Sequence, residues 1–369
     1  MNQPAFAVTH SQSTSSPVLS TWLAQHSQSF DTSNQDAHLI LPKLGEEGLF
    51  RIGVPTALGG VGGTTADAMQ AIAQTAEDSL TAAFVFWGQR TFIEYLVRSP
   101  NTELRDTWLP RLLEGSLAGA TGLSNAMKFL SGFESLQLHA QAKGEGWELN
   151  GKLPWVTNLD PRGFLVAAAV AIEGQAAPAV MVLSSEDLGL TRSEDLNLVA
   201  LRGSNTAAID VKQLYLGQER LLHQDALTFC PAIRPAFLSL QCGLSLGLAR
   251  ASLSAAVEQA GRYLPPALEA RISQLKQQLN SDQQALEQGL AQNTFVADAA
   301  SLFRLRIQLA ERVQQAVALE LEASGGRAYL LDFNPHFARR LKESAFVPVV
   351  TPSLAQLQGE LDKQEAVGA

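Results

Sequence analysis

WELNGKLPWVTN at residues 147–158 and LRGSNTAAIDVKQLYL at residues 201–216 are the stretches from which the rest of the chain is interpreted. In the first, the Asn-Gly pair at 150–151 stands between two short apolar runs. It predicts the tight turn of a β-hairpin, because Asn and Gly tolerate positive φ angles. The stretch ends on Trp-Val-Thr-Asn at 155–158, an aromatic ring followed by small hydrogen-bonding side chains. Such a group could hold a flat heterocycle, or it could be a core tryptophan before a polar turn.

The size and composition of the chain favour a globular protein with two or three subdomains. It has 369 residues, which exceeds the size at which single hydrophobic cores stop growing. Hydrophobic residues make up 46% and charged residues 17%, and we expect no membrane span because no apolar run looks long enough to cross a bilayer. The net charge of −9 argues against nucleic-acid binding, which uses clustered Lys and Arg side chains.

The cysteine and histidine residues give no pattern of a disulfide framework or a metal site. Cys230 and Cys242 are the two cysteines, too few for a four-ligand zinc site. His139, His223 and His336 do not share a metal-ligand spacing, so no metal site is expected. Because the start lacks a basic segment followed by an apolar core, we expect a cytoplasmic protein.

The order of the secondary-structure signals predicts an α+β fold in which a β-domain separates two helical domains. Residues 1–16 are polar and Ser/Gln-rich, which is typical of a disordered arm. The divisions that follow are a helical domain at 17–117, a β-domain at 118–228 and a helical bundle at 229–369.

Apolar spacing and turn signals place the individual elements. The Thr-Thr-Ala-Asp run that starts at Thr64 is typical of a helix N-cap. Helical spacing covers residues 17–53 (broken near Gly45 and Gly48), 64–89, 103–113, 232–262, 267–291, 294–324 and 337–345. Strand patterns cover residues 136–142, the 147–158 hairpin, 164–172, 179–183 and 209–216. The Gly-rich loop at 54–63 lacks the ending of a P-loop and the glycine order of a dinucleotide fold, so we reject it as a nucleotide site.

Five motifs in this order resemble the acyl-CoA dehydrogenase family of flavoproteins over residues 35–360. They are LPKLGEEGLFRIGVPTALGGVGG at 41–63, ELRDTWLPRLLEGSLAGATGLS at 103–124, WVTN at 155–158, LRGSNTAAIDVKQLYL at 201–216 and SGGRAYL at 324–330. The resemblance implies that family's fold, with an N-terminal α-helical domain, a middle β-barrel or β-sandwich and a C-terminal four-helix bundle. It also implies FAD as the cofactor.

The resemblance assigns residues of this chain to contacts with FAD. Trp155 and Thr157 would lie against the flavin ring, with Thr157 near the N5 edge that receives hydride. Ser124 would bond the pyrimidine edge, and Ser131 would replace a further contact of the family's loop. The remaining residues would reach the pyrophosphate or the adenosine half, some of them across a subunit interface: Arg262, Gly325, Gly326 and Thr351. Taken alone, Gly325-Gly326 could equally be a helix C-cap.

The catalytic residue is where this chain departs from the family. Dehydrogenation needs a base to remove the α-proton, and the family supplies a Glu. The two positions at which members carry that Glu correspond here to Val349 and Phe237, neither of which can take a proton. Glu343 and Glu360 lie nearby in sequence, and we expect both to be solvated helix charges. The catalytic base is therefore unknown.

The substrate side also differs. Met127, Lys128 and Phe129 fall where the family's loop meets the thioester. Lys128 could meet a CoA phosphate or be a solvated loop charge. The acyl group, and whether CoA or a carrier protein bears it, are left open. The implied partners are a second copy in a homodimer or homotetramer, and an electron-transfer flavoprotein or reductase.

Three hypotheses follow. The first is an FAD-dependent oxidoreductase that dehydrogenates an acyl thioester at its α and β carbons. The second is a flavin monooxygenase or oxidase on the same fold, which needs the flavin platform but no α-proton base; oxygen consumption by reduced flavin would distinguish it. The third is a non-catalytic binding or assembly module with an emptied flavin site, which would stay colourless with added FAD.

Overall fold

The computed structural model describes residues 16–132, 134–261 and 264–368. Arg262 and all but the last residue of the expected 1–16 arm lie outside the described residues. That last residue, Ser16, caps the first helix, because its hydroxyl accepts a hydrogen bond from the amide of Leu19 at 3.1 Å.

The N-terminal part is helical, as expected, but two of the expected helices are each divided. Its five helices are α1 (Pro17–Thr32), α2 (Ala37–Glu46), α3 (Thr65–Asp78), α4 (Leu80–Arg98) and α5 (Thr102–Leu113). The predicted N-cap is confirmed, because Thr64 and Asp67 form a reciprocal capping box. The 64–89 helix divides at Ser79, whose extended backbone ends α3 and whose hydroxyl caps α4 by accepting from the amide of Ala82.

The Gly-rich loop at 54–63 folds back on itself and is fixed by a buried arginine. The amide of Gly62 donates to the carbonyl of Val54 at 2.9 Å, and Gly53 donates to the carbonyl of Gly62 at 2.8 Å. Arg90 of α4 donates to the carbonyls of Ile52 and Gly53. Several backbone groups of the loop and of the residues just before it are thus paired within the protein.

A buried glutamine joins α4 to the β-domain. Gln89 donates from Nε2 to the carbonyls of Leu112 and Leu117, both at 2.9 Å. Its Oε1 accepts from the amide of Gly119 at 2.6 Å and from Asn158 Nδ2 at 2.9 Å. One side chain therefore links α4, the end of α5, the first strand and the Trp-Val-Thr-Asn motif.

In the part of the middle domain that the structure describes, eight strands form one sheet. They are β1 (Ala118–Thr121), β2 (Leu138–Lys143), β3 (Gly146–Val156), β4 (Phe164–Ile172), β5 (Ala179–Ser184), β6 (Leu190–Arg192), β7 (Ala207–Leu216) and β8 (Leu221–His223). Their order is β6-β7-β3-β2-β4-β5-β8. One edge of β4 pairs in parallel first with β1 and then with β2, while its other edge pairs with β5. A short helix, α6 (Ser124–Leu130), which the sequence patterns did not predict, follows β1.

The predicted Asn-Gly turn is wrong. Strand β3 runs continuously through Asn150 and Gly151, and the hairpin turn lies earlier, at Gly144 and Glu145 between β2 and β3. Gly151 instead sits at a register shift opposite β7, with a φ of +137°. A Cβ there would lie 2.0 Å from the carbonyl oxygen of Gln137, so the glycine serves a β-bulge with close backbone approach.

Helices form the C-terminal part. They are α7 (Ala226–Ala260), α8 (Pro266–Ala291), α9 (Thr294–Ala297), α10 (Ala299–Ser324), α11 (Pro335–Phe346) and α12 (Leu354–Gly368). Helix α7 begins six residues before the predicted start at 232, and α12 was not predicted. In length and composition α7 could cross a membrane, contrary to our expectation that no run is long enough, but 89% of its most apolar window is buried inside the fold.

The long helix α7 is buried because it packs closely on α3. A Cβ at Gly247 would lie 2.1 Å from the carbonyl oxygen of Ala73, and one at Gly243 would lie 2.6 Å from that of Met69. Glycine at these two positions lets the backbones of α7 and α3 approach closely. The N-terminal and C-terminal helices thus pack directly on each other and belong to one hydrophobic core.

Candidate functional site

A cavity of about 830 Å³ lies where the β-domain meets the helices. Five parts of the chain form its wall: α4, the segment from β1 through α6 to Gln137, the end of β3, the loop before β7, and α11 with the segment after it. Most of the wall is apolar, with contributions from Phe84, Trp87 and Phe346. A pocket of this size and character is typical of a site for a cofactor or small molecule.

Four of the predicted cofactor residues line this cavity. They are Ser124, Trp155, Thr157 and Thr351, which come from three separate parts of the chain. Trp155 is 60% exposed, so the alternative of a core tryptophan is wrong. Val349, which the sequence resemblance matches to the family's usual base position, lines the same cavity.

The hydroxyl of Thr157 is held by the stretch 201–216. Thr157 Oγ1 lies 2.9 Å from Thr206 Oγ1, which lies 2.8 Å from Ser204 Oγ. The amide of Asn158 also donates to the carbonyl of Ser204 at 3.0 Å. Asn158 has a φ of +64° and its side chain bonds Gln89, so the end of β3 is anchored from two sides. This anchoring fixes Trp155 and Thr157 relative to the cavity.

Other predicted residues lie elsewhere. Ser131 and Phe237 line a separate crevice of about 60 Å³. Phe237 is buried there, and its ring packs edge-on against Trp87 with centroids 5.3 Å apart. Its carbonyl accepts a hydrogen bond from Trp87 Nε1 at 3.3 Å. Phe237, which the sequence resemblance matches to the family's alternative base position, is therefore a packed aromatic side chain.

Gly325 and Gly326 do not line either of these two pockets. Gly325 follows α10 with a φ of +58°, and its amide donates to the carbonyl of Leu321, as in a helix C-cap. A Cβ at either glycine would meet nothing within 4 Å. Within one chain these glycines therefore border open space. The predicted pyrophosphate residue Arg262 lies outside the described residues.

The expectation that Glu343 is solvated is wrong. Its side chain is 1% exposed, and its Oε1 accepts from Arg339 Nη1 at 3.0 Å. Burial raises the pKa of Glu343 despite this partner, and its Oε2 has no hydrogen-bond partner. Glu360 is half-buried and pairs with Lys363 at 3.2 Å, at the edge of the small crevice.

A polar corner of the cavity was missed by the sequence patterns. Asn125 is buried and donates to Glu134 Oε1 at 2.8 Å, while its Oδ1 accepts from the amide of Gln137 at 2.8 Å. Lys128 lies 3.4 Å from Glu134 Oε2, so this lysine is an ion-paired side chain at the cavity wall. Among the described residues that line the cavity, Glu134 carries the one carboxylate. The one sequence signal for Glu134 as a cavity residue is its position in the polar segment after Ser124.

A second lysine in the wall, Lys342, was missed, whereas Lys128 was named from the sequence. Lys342 of α11 pairs with the buried carboxylate of Asp31 on α1. The other oxygen of Asp31 accepts from the amide of Leu201 at 3.0 Å. Leu201 belongs to the loop that lines the cavity before β7. Asp31 thus joins α1, α11 and this loop.

The residues of the cavity fit a flat, partly polar ring such as a flavin. Gln137 lines the cavity and has a buried Oε1 without a hydrogen-bond partner, which could accept from a ring N–H. Hydroxyls of Ser124, Thr157 and Thr351 offer further hydrogen bonds. In residues 16–132, 134–261 and 264–368, no group of three or more His, Cys, Asp or Glu side chains could hold a metal ion.

Comparisons with known proteins agree with this architecture. The family model for the acyl-CoA dehydrogenase N-terminal domain matches residues 13–116. The mitochondrial isovaleryl-CoA dehydrogenase of Pongo abelii is 26% identical over 194 residues, which are 51% of this chain and 46% of the relative. The chain thus spans about half the length of this curated relative.

Two solved structures illustrate the likeness of the fold. A glutaryl-CoA dehydrogenase in complex with glutaryl-CoA superposes with a TM-score of 0.78 at 15% identity, covering 98% of this chain and 97% of the other. The prolyl acyl carrier protein oxidase AnaB superposes with a TM-score of 0.76 at 16% identity, covering 94% and 97%. A dehydrogenase and an oxidase therefore share the fold seen here.

Proposed function

Because this chain is an acyl-CoA dehydrogenase family protein, we propose that it is an FAD-dependent oxidoreductase acting on the CH–CH group of an acyl thioester. The observation that carries the proposal is the convergence of Ser124, Trp155, Thr157 and Thr351 on one cavity. These residues come from segments far apart in sequence, and the cavity joins them to an apolar wall. Fold alone would not support a function, but this grouping of side chains does.

The residues of the cavity have distinct roles in this proposal. Trp155 presents an aromatic face for the ring, and Ser124 and Thr157 place hydroxyls for its polar edges. When bound, FAD supplies the two-electron acceptor for a hydride from the β carbon of the acyl chain. The apolar side chains of α4 and α11 keep water from the acyl chain.

A flavin oxidase or monooxygenase is the second candidate, and Val349 is the observation that favours it. This side chain stands at the cavity where the family's base would be, and it can hold no proton. Chemistry at reduced flavin with oxygen needs no α-proton base, so it tolerates valine there. The oxidase among the structural neighbours has the same fold, which makes the fold compatible with both candidates.

The experiment that tests the proposal is a visible absorption spectrum of the purified full chain, with and without added FAD or FMN. A panel of acyl-CoAs and acyl carrier protein thioesters is then added without oxygen. Bleaching of the flavin by one thioester supports dehydrogenation. Bound flavin that no thioester bleaches, but that consumes oxygen when reduced chemically, supports the oxidase. A protein that binds neither flavin is the non-catalytic module, which contradicts both.

Thr157→Val should weaken flavin retention by about 10-fold, because it removes one hydrogen-bonding group from the cavity without changing its shape. Thr206 keeps its bond to Ser204, so the fold of this region should persist. The measurement is flavin fluorescence titration of the apoprotein. Thr191→Val is the control, since Thr191 is the exposed residue of β6. Equal affinity in both variants would show that Thr157 does not contact the flavin.

We further propose that a second copy of this chain covers the surface beside Gly325 and Gly326. The exposed apolar side chains of this surface are Tyr329, Leu330, Leu331 and Phe333. Leu331→Glu should convert an oligomer to monomers in analytical ultracentrifugation, because it buries a charge at the interface. Leu188→Glu is the control, since Leu188 is still more exposed but lies in the turn before β6. A wild-type monomer, or an L331E oligomer, would contradict this placement.

The remaining partners and the location belong to the same proposal. The electron acceptor would be an electron-transfer flavoprotein or a reductase, and the thioester carrier CoA or a carrier protein. Cys230 and Cys242 are both free and buried, which suits the reducing cytoplasm. Burial raises the pKa of each thiol to about 12, so neither is a thiolate at neutral pH.

A further inference from the structure

A buried arginine behind the cavity has no acidic partner among the residues that the structure describes. Arg306 of α10 is 1% exposed, and the contacts that shift its pKa include no carboxylate. It donates from Nε to Gln241 Oε1 at 2.9 Å and from Nη2 to the carbonyl of Val347 at 2.7 Å. Its Nη1 is buried without a hydrogen-bond partner. Burial lowers the pKa of the guanidinium, as expected for a cation removed from water.

The partner of Arg306 reaches the other end of the same segment. Gln241 of α7 is also buried, and its Nε2 donates to the carbonyl of Thr351 at 3.0 Å. Arg306 and Gln241 therefore bond the first and last residues of the segment 347–351. Between these two bonds lie Val349 and Val350, which line the cavity.

Keeping an unpaired guanidinium in this place is costly. An unpaired charge in a protein interior costs several kcal/mol, and an apolar side chain of similar volume would fill the space at lower cost. Arg306 offers what no apolar side chain can, which is a pair of directed donors at fixed angles. One donor holds the carbonyl of Val347, and the other holds Gln241, which bonds Thr351. The segment 347–351 itself belongs to no helix or strand.

We propose that Arg306 and Gln241 form a clamp that positions the cavity wall 347–351. The clamp sets where the side chain at position 349 and the hydroxyl of Thr351 stand relative to a bound ring. Neither clamp residue lines the cavity itself, so both act through the backbone of the wall. The link to ligand binding rests on the proposed function, whereas the link to the order of the wall does not.

The test measures amide hydrogen exchange of residues 347–353 in the full chain by mass spectrometry. Arg306→Met should speed exchange there at least 10-fold, because the carbonyl of Val347 loses its donor and Gln241 loses its partner. Arg306→Lys keeps a charge and one donor direction, so it should restore part of the protection. Arg312→Met, on the same helix and paired with Asp282, is the control and should leave this segment unchanged.

A second variant keeps the inference testable if Arg306→Met does not fold. Gln241→Glu keeps an acceptor for Arg306 and offers its unpaired Nη1 a partner, but it removes the donor to Thr351. It should therefore speed exchange at the Thr351 end alone. Unchanged exchange of 347–353 in Gln241→Glu, and in Arg306→Met where that variant folds, would overturn the clamp.

The flavin affinity of the same variants distinguishes a failure of the clamp from a failure of the proposed function. If the wild type binds flavin, Arg306→Met should weaken its affinity by at least 10-fold more than Arg312→Met does. Equal affinity in these two variants would overturn the link to the ligand. If the wild type binds no flavin, the proposed function fails, but the exchange measurement still decides whether Arg306 and Gln241 order the wall.

Discussion

Val349→Glu should raise the rate at which an acyl thioester bleaches flavin bound to this chain by about 10²–10⁴-fold, which is the usual contribution of a positioned general base. Val349 lines the cavity and is 64% exposed, so a carboxylate there needs little desolvation and stays ionised at neutral pH. The introduced carboxylate could take the α-proton, which the wild-type valine cannot accept. The measurement is anaerobic stopped-flow absorbance with the thioester panel.

The control for this gain is a carboxylate placed elsewhere in the same wall. Val199 lines the cavity from the loop before β7 and is still more exposed, so Val199→Glu adds the same charge without the base position. A similar gain in both variants would indicate a general effect of charge. No gain in Val349→Glu, with flavin and thioester both shown to bind, would mean that the substrate's α carbon does not approach position 349.

Gln89→Met should lower the free energy of unfolding by about 2–6 kcal/mol, because it leaves two buried backbone groups without partners at about 1–3 kcal/mol each. The amide of Gly119 and the carbonyl of Leu117 lose their bonds to Gln89, while the carbonyl of Leu112 keeps a bond from Gly115. Methionine fills nearly the same volume, so the loss reflects hydrogen bonding rather than a cavity. Urea unfolding followed by circular dichroism measures it.

The matched control for this prediction is an exposed glutamine in a helix. Gln284→Met on α8 should change the stability by less than about 0.5 kcal/mol. If Gln89→Met unfolds at the same urea concentration as this control, then the four bonds of Gln89 contribute little to stability. The same variant should also bind flavin more weakly, because Gln89 holds Asn158 next to Thr157.

The order of helices and strands was predictable because the spacing of apolar residues along the chain indicates the type of each element. The limits of individual elements were not, since capping decides them. Ser79 divides one predicted helix, because its hydroxyl accepts a hydrogen bond from the amide of Ala82 in the first turn of α4. The amides of a helix's first turn have no partner within the helix, so this bond favours a new helix start at Ser79. The Asn-Gly turn failed for a related reason: β3 pairs with β7 across that point, and this pairing outweighs the local turn preference. The domain limits at 117 and 228 stay predictions.

The site residues that lie in sequence motifs were predictable. Those brought to the cavity by tertiary contacts alone were not. Ser124, Trp155 and Thr157 lie in motifs that resemble a known family, and they line one cavity. Glu134 and Lys342 belong to no motif, and they line it because of loops and helices distant in sequence. Contact of the predicted residues with FAD stays a prediction.

Glu343 shows how a correct general rule gave a wrong result. Charged side chains are rarely buried unless they are paired, and we expected solvation on that ground. Arg339 stands four residues earlier on the same helix face, a spacing that permits pairing. The pair was readable from the sequence, but its burial under other helices was not.

The bond between Asp31 and Lys342 has a consequence for the chain as it is synthesised. The two residues are 311 positions apart, and ribosomes add roughly 5–20 residues per second, so about 15–60 s separate their appearance. During that interval α1 is complete while its cation is still untranslated. Asp31 therefore cannot be buried as an ion pair until Lys342 has been translated, and the cavity is complete only after α11 has been synthesised.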